Sequence, residues 1–220
     1  MNNIGNLPDP AVLIPLLFVL GLVPMGVVML TAYTKIVVVF SLLRNALGLQ
    51  QVPPTMVTNG LALVLTWYVM YPVGLQMLAA MDVDANAPRL PNLTTLQVLD
   101  KAKEPMRAFL DKHANERERI FFADASRRLM GEQVAAQIGP QDFVILVPAF
   151  VLSELTEAFL IGVLIALPFL VVDLVVANVL MALGMQMMSP TMISLPAKLL
   201  LFVLLDGWSR LAHALVLTYR

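Results

Sequence analysis

The chain has 220 residues; 59% are apolar, 13% are charged, and 14 Lys and Arg balance 15 Asp and Glu. An average soluble protein has roughly 45–50% apolar and ~25% charged residues, so this chain has too little polar surface to cover a globule in water. The composition argues against a soluble monomeric enzyme. With no basic block it also argues against a nucleic-acid binder.

There is no cysteine, which excludes disulfides, thiolate nucleophiles and Cys-ligated metals. The two histidines, His113 and His213, lie far apart in sequence. No catalytic residue, metal or cofactor is expected.

In chain order, Met1 to Pro10 carries Asp9 and no basic residue. A secretory signal needs a positive start and a short apolar core, so the first apolar run, 11–43, is read as a retained helix. Its one charge is Lys35. Residues 57–81 carry none. Residues 82–142 hold 19 of the chain's 29 charged residues. Two further apolar runs follow, 143–172 with Glu154 and Glu157, and 174–205 with Lys198. Each run exceeds the ~20 residues that cross a ~30 Å hydrocarbon layer. The expected class is all-α. Four long, kinked apolar segments form two helical hairpins, 1–81 and 143–220, around a polar helical domain, 82–142.

Within that domain Leu96, Leu99, Ala102, Met106, Phe109, Leu110 and His113 recur at helical spacing. So do Ile120, Phe121, Ala125 and Leu129. Asp82, Asp84 and Asn86 read as a turn-rich linker. The short connection at 44–56 carries Arg44, and the N-terminal tail carries no base, so the positive-inside rule places 44–56 in the cytoplasm and the middle domain outside.

Prolines at 15, 24, 72, 148, 168, 190 and 196 fall inside apolar runs. Each removes a backbone donor and predicts a break. Irregular backbone at membrane depth needs protein cover or a cavity, so oligomerisation is expected. Met181 to Met192 holds five methionines in twelve residues, three of them between Gly184 and Pro190. It reads as a loop or kink, either a packing patch or a flexible apolar constriction. Ionised groups at membrane depth need partners. Glu154 and Lys198 are expected to pair, within or between subunits; a proton-carrying role for Glu154 or Glu157 is the alternative. A secondary transporter should show inverted repeats, and none relates 11–81 to 143–213.

Four blocks carry a family resemblance. They are Thr34-Lys35-Ile-Val-Val-Val-Phe-Ser-Leu-Leu-Arg44 through Pro53-Pro54; Pro148-Ala-Phe-Val-Leu-Ser-Glu154 through Gly162; Pro168-Phe-Leu-Val-Val-Asp173; and Ile193-Ser-Leu-Pro196-Ala-Lys198 through Asp206-Gly207-Trp208. The sequence resembles the FliP/YscR family, the export-gate subunits of flagellar and virulence type III secretion. The resemblance implies a pore-forming, non-enzymatic subunit in the bacterial inner membrane, with the middle domain periplasmic. It implies five copies assembled with a small two-helix export subunit and a larger related one. It further implies passage of unfolded polypeptides and a gasket formed by Met185, Gln186, Met187 and Met188. The missing signal peptide favours the virulence branch.

Overall fold

The computed structural model describes residues 10–49, 53–80, 95–131, 137–185 and 187–220. All regular elements among them are helices: α1 (Pro10–Met29), α2 (Tyr33–Leu47), α3 (Thr55–Ala80), α4 (Thr95–His113), α5 (Glu116–Met130), α6 (Phe143–Ala182), α7 (Pro190–Leu204) and α8 (Gly207–Leu217). The all-α class expected from the sequence is the class found.

The architecture is organised around α2. Its apolar residues Ile36, Val39, Phe40, Leu43 and Leu47 recur at three- and four-residue steps, and all are buried. Its main partner is α6, with α3 and α7 also packed against it. Ala158 and Gly162 on α6 let the two backbones approach, as small residues one turn apart do. A Cβ placed on Gly162 would lie 2.2 Å from Leu42 Cδ1 and 2.9 Å from Leu42 Cβ. The helix stops at Gly48, whose φ of 77° is a left-handed conformation that glycine adopts without strain.

Two apolar clusters result. One joins α2 to Ala62 and Val69 of α3, Ala158 and Phe169 of α6, Phe202 of α7, and Leu211 and Leu215 of α8. The Trp208 ring meets both Phe40 and Phe202 edge-on. The other joins Val73 of α3, Phe109 and Leu110 of α4, and Leu146, Ala149 and Phe150 of α6. The inward face of α4 is the one its periodicity predicts. Asn115 turns the chain into α5: its side chain accepts from Arg117 N–H at 2.9 Å, and its own N–H donates to Ser153 Oγ at 2.8 Å.

Several expectations are corrected. Pro15, Pro24, Pro72, Pro148, Pro168 and Pro196 lie inside helices, and only Pro190 adjoins a break, at the first residue of α7. That first position has no intrahelical use for an N–H. The third and fourth apolar runs do not part at Asp173: α6 continues through it to Ala182. At ~1.5 Å per residue its 40 residues extend about 60 Å, twice the ~30 Å hydrocarbon layer. On α5 the helical period is right and the phase is not. Ile120, Phe121 and Leu129 face outward, because the neighbouring Phe122 takes the inward position. The linker at Asp82, Asp84 and Asn86 and the packing of Leu96 and Leu99 fall outside what the structure describes.

Among the described residues α3 and α6 are long and apolar enough to cross a membrane. The pairs α1–α2 and α7–α8, bent by 62° and 61°, would each supply one more span. Along α1, Ile14, Phe18 and Met25 are bare. So are Leu160, Val163, Leu164, Leu167, Val171, Leu174 and Val175 along the second half of α6. Such apolar surface requires lipid or other subunits against it.

Replacing Gly162 with Ala should overpack the α2–α6 contact and lower stability by about 1–3 kcal/mol. Gly21→Ala, where a Cβ meets nothing within 4 Å, should be neutral or stabilising. Thermal aggregation midpoints in detergent compare the two; equal midpoints would contradict the close approach.

Candidate functional site

Three features hold polar chemistry inside this apolar frame. The first is a buried ion cluster. Lys35 projects from α2 toward α6, where Glu154 and Glu157 stand three residues apart and so share a face. Lys35 Nζ lies 2.9 Å from Glu154 Oε1 and 2.7 Å from Glu157 Oε2. The side chains of Lys35 and Glu154 are each 1% exposed, whereas Glu157 is half exposed. The Tyr219 hydroxyl donates to Glu154, and the Tyr219 ring lies 4.3 Å from the Lys35 ammonium, a cation–π distance. Phe109 stacks on Tyr219, and His113 meets that ring edge-on. The cluster therefore ties α2, α6, α4 and the chain's last turn together.

The second feature is a separate pair. Lys198 on α7 lies 2.6 Å from Asp173 on α6 and donates to the Ala46 carbonyl at the end of α2 at 3.2 Å. The expected Glu154–Lys198 contact is not made within the chain: Glu154 pairs with Lys35, and Lys198 with Asp173. Glu154 and Asp173 are 19 residues apart on one continuous helix, hence about 28 Å apart along it. One lysine cannot serve both.

The third feature is the methionine loop between α6 and α7. Gly184 (φ 72°) ends α6, with Gly184 N–H donating to the Met181 carbonyl and Met185 N–H to the Leu180 carbonyl. This paired arrangement satisfies the helix end. Ser189 opens α7. Met187 is fully exposed, Met185 and Met188 are partly so, and Met192 projects nearby. The loop that the sequence predicts is present; Gln186 lies outside the described residues.

Sequence reasoning passed over Lys35, Asp173 and Tyr219. Lys35 was visible as a lone charge inside an apolar run and Asp173 as a lone charge between two of them, each a signal that a partner must exist. Tyr219 gives no such signal.

Among the described residues no three His, Asp or Glu side chains gather as a metal site. Ser153 donates to the Ala149 carbonyl and accepts from Asn115, so it is structural. An all-helical chain of span-length helices, with ions paired between them and an exposed thioether loop, is a membrane-class protein whose polar groups hold it together. The chain belongs to the FliP family, whose model matches residues 16–215. It is 51% identical over 216 residues to the Yop proteins translocation protein R of Yersinia pestis, covering 97% of this chain and 98% of that one. Identity is 49% over 211 residues to the hypersensitivity response secretion protein HrcR of Ralstonia nicotianae, covering 96% and 97%. It is 45% over 220 residues to the virulence protein YscR of Salmonella typhimurium, covering 97% and 99%.

Lys35→Met strands Glu154 without its cation and should cost about 3–5 kcal/mol. Adding Glu154→Gln should recover part of it. A double variant no more stable than the single one would show that the pair does not carry this energy. Burial, then Lys112 and Lys35, lower the His113 pKa to about 4, against the pull of Glu157. Between pH 6.5 and 4 the unfolded chain binds the extra proton, so stability falls as pH drops through that window. His113→Gln should flatten that slope in a pH series of melting curves.

Proposed function

We propose that this chain is a subunit of the export gate of a virulence type III secretion system, forming the wall of a closable conduit rather than catalysing a reaction. The relatives' names supply the process. The observation that carries the reading is the loop at 183–189: several thioethers stand exposed where α6 and α7 meet, and α6 leads to them with an unpartnered apolar surface. An apolar side chain fully in water has no folding benefit in a lone chain. It acquires one when copies bring their loops to a common axis.

In this reading the chain is a homo-oligomer, five copies by the family's pattern, joined by a small two-helix export subunit and a larger related one. It resides in the bacterial inner membrane. The polar insertion, 82–142, lies on the periplasmic side, between the apolar hairpins 1–81 and 143–220. Unbranched methionine side chains close around nothing at rest and repack around an unfolded polypeptide in transit. Met185, Gln186, Met187 and Met188 form that gasket. Glu154 and Glu157 act as structural anions around Lys35, not as proton carriers.

Replacing Met185, Met187 and Met188 with Ala should leave the complex assembled and make it leak small ions across the membrane. Conductance of the complex in planar bilayers measures this, and a tight triple variant would overturn the gasket. Glu157→Gln should leave secretion unchanged in an assembled complex; lost secretion with intact assembly would favour proton coupling.

A further inference from the structure

The loop has a second chemistry that its sealing role does not use. Met185, Met187, Met188 and Met192 line a single open concavity, together with Gly184 and Ser189. Thioether sulfur is a neutral, soft donor that selects soft monovalent metal ions over Zn²⁺, Mg²⁺ or Ca²⁺. The local fold gathers these donors. The left-handed turn at Gly184 ends α6 abruptly, and Met188 N–H donates to the Met185 carbonyl at 3.2 Å, which closes a tight turn. Met192 N–H then donates to the Ser189 carbonyl at 3.2 Å in the first turn of α7. Four methionines spaced over eight residues thus line one hollow.

The geometry points to a soft-metal site at this loop, taking Cu(I) or its redox-inert analogue Ag(I) on three or four methionine sulfurs. The chain favours such a site in two ways. It has no cysteine, so no thiolate competes for the ion. Thioethers carry no proton at neutral pH, so binding needs no deprotonation, unlike a Cys or His site. The methionine side chains are long and unbranched, so they can converge on an ion without moving the backbone. A bound ion would fix side chains that are otherwise free.

The site requires only the loop's own fold and does not depend on the conduit reading. Leucine substitution separates the two. Leu matches Met in volume and apolarity, so a Met185→Leu, Met187→Leu, Met188→Leu triple variant keeps an apolar seal and loses the sulfurs. The Ala triple variant loses both.

The experiment is Ag(I) titration of the detergent-extracted full-length protein by calorimetry, with Zn²⁺ as the borderline-ion control. The expected result is saturable binding of about one Ag(I) per chain, weakened by at least about tenfold in the Leu triple variant and unchanged in His213→Gln. Helical circular dichroism checks that the Leu variant is folded. X-ray absorption at the silver edge should then show a first shell of sulfur alone. Absence of saturable Ag(I) binding would overturn the site. So would equal binding by the folded Leu variant, equal affinity for Zn²⁺, or a nitrogen- or oxygen-dominated first shell.

Discussion

A single ammonium group sets the conditions for everything around it. Lys35 is buried on α2, among the described helices the one most enclosed by the others, where an unpaired charge costs at least ~2.5–3.5 kcal/mol even by lenient insertion scales. It is tolerable only because α6 presents two carboxylates on one face and Tyr219 closes over it. That requirement fixes the rotation of α6 against α2. Gly162 and Ala158 then fix how near the two helices come. The desolvation cost makes the ion pair a poor source of net stability. Its value is that any other register would leave charge in grease.

Once α2 and α6 are locked, α6 has two environments. Its first half is covered by α2, α4 and α5, and the aromatic contacts of Phe109, Phe150 and Tyr219 lie there. Its second half meets little of its own chain apart from α7, held by the Asp173–Lys198 contact. The covered half contributes to the chain's own core, and the uncovered half leaves apolar surface bare. Both come from one helix of nearly uniform apolarity, so the partition is set by neighbours.

The class, the apolar runs, the inward face of α4 and the methionine loop were legible in the sequence, because each rests on a local pattern: long apolar stretches, three-and-four spacing, and a Gly–Pro bracket around Met185 to Met188. Helix continuity was not. Proline signals a lost donor, but the cost depends on what else packs there: Pro148 lies beside Phe150, which meets Phe109 of α4, and Pro168 beside Phe169, which meets Phe202 of α7. The choice of ion partners was not legible either. Two lysines and three carboxylates in apolar runs admit several pairings, and only the distance between Glu154 and Asp173 along an unbroken helix removes one of them. Phe121 and Phe122 illustrate a third limit. Adjacent aromatics fit opposite faces equally well, and the phase is chosen by α6 rather than by α5.

The separation of Lys35 from its counter-ions along the chain has a consequence for biosynthesis. Glu154 leaves the ribosome about 120 residues after Lys35, an interval of roughly 6–24 s at ~5–20 residues per second. Throughout that time the lysine has been delivered without the carboxylates that later surround it. Its four-carbon stem lets the charge reach toward the headgroups while it waits. Full burial of the ammonium therefore has to follow the synthesis of α6, because only α6 carries the carboxylates that enclose it.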